Sequence, residues 1–159
     1  MIDEADVDEP NDVDDSLAFT TEDELELLRG SSLAIILATV RFLQQRGLDL
    51  SDWTTSLSRV FAAGWDTTEP WGPEEFMGAV LLNLEAFGAE APVVEYDDTM
   101  ARARITRFPD VERLEGMGLE DVPGHVLFDL FTEVARACGL VWTWEPVDSA
   151  HLVTVSLPA

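Results

Sequence analysis

The sequence predicts an α+β fold in which amino-terminal helices are followed by a β-β-α-β-β unit. Between Glu22 and Phe87, apolar residues recur at the spacing of amphipathic helices. Two later segments, Val93–Phe108 and Leu140–Leu157, show the alternation of strand pairs, and a helical pattern, Val122–Cys138, lies between them. We therefore expect a four-stranded antiparallel sheet packed on helices.

The chain carries a strong negative charge. Its 159 residues include 32 acidic and 9 basic side chains, for a net charge of −23, and every basic side chain is an arginine. Such a surface repels the phosphates of nucleic acids and of anionic membranes, so neither is expected as a partner. The charge fits a solubilising role or a saline environment; mimicry of nucleic acid would need rows of carboxylates on a rigid surface.

The acidic residues are densest at the amino terminus. Twelve of them, and no basic residue, occur up to Glu26. Met1–Thr20 has too few apolar residues to offset the entropy lost on ordering it. We expect a disordered acidic tail over residues 1–20 and a single domain over residues 21–159.

The expected compartment is the cytoplasm. Cys138 is the only cysteine, so no internal disulfide can form. The amino terminus lacks the basic and then apolar character of a secretory signal. The longest apolar run, Leu33–Leu43, is shorter than the roughly 20 residues that a membrane span needs.

The first helical segment begins near Thr20, which precedes acidic residues suited to a first helical turn. Gly30–Ser32 is expected to interrupt the segment and to leave two helices, Glu22–Arg29 and Ser32–Arg46. The second helix is apolar around most of its circumference. This pattern predicts burial on several sides or an interface with a second subunit.

Two more helices should precede the first strand. Ser51 or Asp52 can cap the first of them, and Pro73 opens the second, which stops at Gly88. The first should bury an apolar stripe that consists of Trp53, Leu57, Val60, Phe61 and Trp65.

In the β-β-α-β-β unit, Val93–Tyr96 should pair with Met100–Phe108, and Asp110–Glu120 should be a loop that contains about one helical turn. Asp121 can cap the central helix, Val122–Cys138. The final strands are expected to turn at residues 146–149.

Two groups of residues have the character of a ligand site. Trp142 and Trp144 alternate along one strand, so both indoles should face the same side of the sheet. Arg102 and Arg104 lie in the strand with the densest positive charge. We expect an apolar cavity between sheet and helices, walled by the tryptophans, with the arginines and His125 available to a carboxylate or phosphate. Alternatively, the tryptophans are core and the arginines pair with acids such as Glu95.

His125 also suggests a catalytic alternative. It lies four residues before Asp129, so both should share one helix face, where a carboxylate can orient an imidazole or add to a metal site. No nucleophile or metalloenzyme motif accompanies them, so no catalytic or metal residue is assigned. The sequence does not identify a cofactor.

The order of elements resembles the 4-vinyl reductase domain family and the related TRAPP-subunit and haem-nitric-oxide-binding folds. The residues that carry this likeness are ARARITRFPD and HVLFDLFTEVARACGLVWTWEPVDSAHLVTVSL, within about the last 65 residues. The resemblance implies a dimer with a helical layer and a cavity for small apolar molecules, acyl chains or haem. The paired cysteines of bacterial members and an axial histidine have no counterpart here, so no family site residue is transferred.

Three functions follow as expectations. The first is a non-enzymatic small-molecule-binding or sensory domain with an apolar pocket, which acts as a homodimer through the helix that contains Leu33–Leu43. The second is an interaction or scaffold protein with a filled interior. The third is a hydrolase-like or metal-dependent enzyme that uses His125.

Overall fold

The computed structural model describes residues 20–91 and 93–159. The predicted tail, Met1–Thr20, lies outside the described residues except for Thr20. The helices and strands are α1 (Thr21–Gln45), α2 (Leu50–Ala62), α3 (Pro73–Ala86), β1 (Val93–Tyr96), β2 (Met100–Ile105), α4 (Val111–Gly116), α5 (Val126–Ala137), β3 (Val141–Val147) and β4 (Ala150–Ser156).

The four strands form one antiparallel sheet in the order β1-β2-β4-β3. Ala103 pairs with Val153, which also pairs with Trp144, so these three side chains share one face. This inner face packs against α3 and α5, and the predicted α+β fold is therefore confirmed.

The helices form layers over the inner face. α5 lies between the sheet and α2, and most of its side chains are buried. α1 covers another part of the core with Leu33, Leu37 and Val40, all of which are buried. Burial of these apolar faces supplies most of the stabilisation of such a fold.

α1 is a single helix, so the predicted interruption at Gly30–Ser32 is wrong. A glycine inside a helix costs only about 1 kcal/mol relative to alanine. This cost is offset at both ends of the segment: the Thr20 and Asp23 side chains form a capping box, and Leu33 is anchored in the core.

α5 begins at Val126, four residues after the predicted start. The backbone before it forms single turns, in which the Val126 N–H donates to the Pro123 carbonyl at 3.1 Å and the Leu127 N–H donates to the Gly124 carbonyl at 3.1 Å. The predicted final turn is also shorter than expected, because β3 continues through Val147 and only Asp148 and Ser149 form the turn.

α2 buries polar side chains toward α5. Asp49 caps this helix, rather than Ser51 or Asp52, and Val60 of the predicted stripe is 70% exposed. The buried Ser58 hydroxyl donates to the Leu130 carbonyl and accepts a hydrogen bond from the Glu133 N–H at 3.1 Å. Ser58 therefore joins α2 to α5.

We predict that Ser58→Ala lowers the free energy of unfolding by about 1–3 kcal/mol, because it leaves buried groups of α5 without their partner. Urea unfolding measures the change. Ser56→Ala is the matched control: Ser56 lies in the same helix and is exposed, so a change within about 0.5 kcal/mol is expected. Equal effects of the two substitutions would contradict the role of Ser58.

Candidate functional site

An open groove lies where the chain leaves β2 and enters α5. It has a volume of about 630 Å³, within the range of small-molecule sites. We call it the histidine groove and define it by Arg107, Phe108, Pro109, Asp110, His125 and His151.

The groove is formed by two chain segments in close contact. Arg107 has a φ of 52°, which turns the chain out of the strand, and the Phe108–Pro109 peptide bond is cis. Pro109 then packs directly on Gly124, where a Cβ atom would collide with the proline ring. Gly124 is therefore required for the approach of these segments.

The two histidine rings that line the groove lie against aromatic rings of the core. The His125 ring lies 5.3 Å from the Trp144 ring, between centroids, and the His151 ring lies 4.8 Å from Phe128 and 5.7 Å from Trp144. Phe128 is fully buried, whereas His125 is exposed and His151 is half-buried. The two imidazoles therefore rest on the edge of the core.

Arg107 brings positive charge to the rim of the groove. Its guanidinium lies 3.2 Å from a Glu90 carboxylate oxygen and 3.6 Å from one of Asp110. Since the arginine side chain remains 63% exposed, the two ion pairs are screened by solvent and contribute little to stability.

Burial lowers the pKa of His151 below its usual value, and the nearby charge of His125 lowers it further. The neutral imidazole is therefore favoured in the folded state.

The residues predicted to bind a ligand are divided between the two faces of the sheet. As the alternation predicts, Trp142 and Trp144 both lie on the inner face. The His125 ring lies close to Trp144. Arg102 and Arg104 pair with Thr154 and Leu152 and lie on the outer face. The structure thus brings His125 and Trp144 together but separates them from both arginines.

Trp142 and the arginines have structural partners. The Trp142 Nε1–H donates to the Phe128 carbonyl at 2.9 Å, and its side chain is buried. Arg102 forms an ion pair with Glu95 at 3.2 Å, and Arg104 lies 4.0 Å from a carboxylate oxygen of Asp148. These contacts match the alternative of core tryptophans and paired arginines.

The arrangement of His125 and Asp129 differs from that of a catalytic pair. Asp129 accepts a hydrogen bond from the Trp144 Nε1–H at 2.7 Å, and His125 stacks on the same indole. Within residues 20–91 and 93–159, no group of three or more histidine, cysteine or acidic side chains is arranged to hold a metal ion.

His151 and Arg107 were not among the predicted site residues. The position of His151 could have been inferred from alternation, because it lies two residues before the inward-facing Val153. The position of Arg107 could not have been inferred in this way. The direction of its side chain depends on a left-handed backbone conformation, which the neighbouring residues in the sequence do not indicate.

A second candidate surface lies on α1, opposite its buried face. Leu28, Ile35 and Phe42 recur every seven residues and are 63%, 68% and 52% exposed. We call these three residues the α1 stripe. Exposed apolar residues aligned along two turns of helix or more are typical of an interaction surface.

We predict that His151 makes stability depend on pH near neutrality. The pKa of His151 is lower in the folded chain than its usual value of about 6.5, which we take for the unfolded chain. The contribution of His151 to the free energy of unfolding is therefore complete above pH 6.5 and is lost as the pH falls through the folded pKa. Unfolding free energies should therefore rise with pH up to about 6.5, and His151→Gln should flatten this rise.

Urea unfolding between pH 5 and 8 measures the slope. The charged groups that face the same groove, Arg107, Asp110, Glu112 and His125, remain in the variant, so the difference from the original chain isolates His151. His125→Gln is the control: it removes the second cause of the shift but not burial, so the slope should shrink without disappearing. An unchanged slope in His151→Gln would contradict the assignment.

In comparisons with known proteins, no family model and no curated protein matches the chain. No helix in the part of the chain that the structure describes combines the length and apolar content of a membrane span.

Proposed function

We propose that this chain is a non-enzymatic protein-interaction domain that acts as a homodimer through α1. The observation that carries the proposal is the α1 stripe, which exposes three large apolar side chains along one face of a helix of roughly 37 Å. The opposite face of the same helix is buried in the core. Such a two-sided helix supports the sequence-based expectation of a subunit interface.

The surface beside the stripe also exposes apolar side chains. An open groove of about 600 Å³ lies between α1 and the segment after α4. Its lining includes the apolar side chains of Leu27, Ala34 and Met117, together with the acidic side chains of Asp23, Glu24 and Glu26. The Arg41 guanidinium donates to the Gly118 carbonyl and so ties that segment to α1. The apolar surface available to a partner therefore extends beyond a single row of side chains.

The amino-terminal turns of α1 give further support. Every residue from Thr21 to Arg29 is exposed, including Leu25 and Leu27. Isolated helical turns are marginally stable in water, and packing of an apolar face is the usual source of their stability. A second subunit would supply such packing.

The small internal cavity favours a protein-interaction function over the binding of a ligand inside the core. The cavity enclosed among α1, α3 and α5, near Leu33, Leu84 and Leu127, has a volume of only about 20 Å³. That is enough for about one water molecule and far below the several hundred Å³ of a ligand site. An acyl chain or haem would require these helices to separate.

The resemblance to the 4-vinyl reductase domain and TRAPP-subunit folds agrees with a dimer that has a helical layer. We also propose a cytoplasmic location, because Cys138 is the only cysteine of the sequence and no internal disulfide can form.

We predict a dimer at micromolar concentration, and Ile35→Glu should raise its dissociation constant by about 100-fold or more, because both carboxylates would be desolvated at one interface. Light scattering after size exclusion, and sedimentation equilibrium, measure the mass and the constant. Val60→Glu is the matched control, since Val60 is 70% exposed on α2 and should not affect association. A wild-type monomer would refute the proposal.

A second candidate function is the binding of a small apolar or anionic molecule in the histidine groove. The rings of Phe108, His125 and His151 in its lining and the guanidinium of Arg107 at its rim favour this role. It retains the sequence-based expectation of ligand binding, with His125 in the site. Arg107 takes the place of Arg102 and Arg104, and Trp144 lies behind the His125 ring.

For this candidate we predict that native mass spectrometry of the purified protein finds one small molecule per subunit. Arg107→Ala should reduce its occupancy about tenfold, because a charge-assisted contact is lost. Arg136→Ala is the control, because Arg136 is exposed on α5 and is paired with Glu133 outside the groove. A clean apo mass for the wild-type protein would leave only the interaction function.

A further inference from the structure

The α1 stripe ends in opposite charges. Glu24 lies in the first turn of α1, and Arg46 is its C-cap residue. Each is eleven residues from Ile35, which is about three helical turns, so both lie close to the face that carries the stripe. The Arg46 guanidinium lies 5.1 Å from the centre of the Phe42 ring, which holds it on that face.

These positions are symmetric about Ile35. Leu28 and Phe42 are each seven residues from it, as Glu24 and Arg46 are each eleven. A two-fold axis at Ile35 would therefore place Leu28 against Phe42 and Glu24 against Arg46 of a second copy, twice in each dimer.

The charges distinguish the two orientations of such a pair. In a parallel pair, the acidic first turns, with Glu22, Asp23 and Glu24, would lie side by side, and the two Arg46 side chains would also meet. In an antiparallel pair, each acidic end meets an arginine. The helix dipoles are also opposed in the antiparallel arrangement.

Burial of the stripe would not leave the hydroxyl of Thr39 without a partner. Thr39 lies beside the stripe, and its hydroxyl already donates to the Ile35 carbonyl at 2.8 Å. The neighbouring Ser31, Ser32 and Ala38 have small side chains, which permit close approach of two helices.

We infer that the occupant of the α1 stripe is the α1 helix of a second copy, in antiparallel orientation, with Ile35 at the two-fold axis and Glu24 opposite Arg46. This inference rests on the homodimer of the proposed function and adds its orientation and register. The arrangement also covers the exposed amino-terminal turns of each α1 with the carboxyl-terminal half of the other.

Cysteine cross-linking tests the orientation. Ile35→Cys should form an intersubunit disulfide by itself upon oxidation. Leu28→Cys and Phe42→Cys should not do so alone, because equivalent residues would lie roughly 21 Å apart, well beyond disulfide reach. Coexpressed Leu28→Cys and Phe42→Cys chains with different tags should cross-link to each other. Wild-type protein controls for Cys138, which is buried.

Charge exchange provides an independent test. Glu24→Arg and Arg46→Glu should each raise the dissociation constant about tenfold, and the double variant should return to within about threefold of wild type. A parallel dimer would behave differently: each single substitution would replace one like-charge contact by another, so neither would raise the dissociation constant appreciably. Circular dichroism confirms that each variant is folded.

The outcomes separate the orientation from the proposed function. A wild-type monomer refutes both. A dimer in which Leu28→Cys cross-links to itself refutes only the antiparallel orientation, and a dimer in which Ile35→Cys does not cross-link refutes the placement of the axis.

Discussion

Burial of α5 between the sheet and α2 is the constraint on which the other parts of the structure depend. Phe128 is at its centre: its ring contacts Phe108 and His151, while its backbone carbonyl accepts the Trp142 indole hydrogen bond. On the other side of the helix, Ser58 bonds to the backbone at Leu130 and Glu133. One helix thus sets the position of the sheet, of α2 and of the histidine groove, whose histidine rings lie against aromatic rings of the core.

Periodicity was sufficient to predict the fold class, because alternation and helical spacing are properties of short segments that do not depend on distant residues. The predicted helix boundaries were wrong where contacts with residues distant in the sequence determine the backbone conformation. Gly30 remains helical because Leu33 is anchored in the core, and α5 begins late because residues 122–125 are drawn toward Pro109. Neither contact is visible in the local pattern.

The candidate site was predictable in part for the same reason. Alternation correctly places Trp142 and Trp144 on one face and Arg102 and Arg104 together on another. Whether these two faces coincide depends on the pairing of β2 and β3 with β4, which alternation within a strand does not determine. The histidine groove depends on the approach of Gly124 to Pro109, which lie fifteen positions apart in the chain.

Charge limits where two copies of this chain can associate. With a net charge of −23, approaching subunits repel each other over most of their surfaces, and this repulsion is screened beyond about 10 Å in salt. An interface is therefore least costly where acidic residues are absent. From Gly30 to Leu43 the only charged residue is Arg41, whose guanidinium is bound to the Gly118 carbonyl. The same part of α1 exposes Ile35 and Phe42, so weak electrostatic repulsion and a hydrophobic gain coincide on one surface.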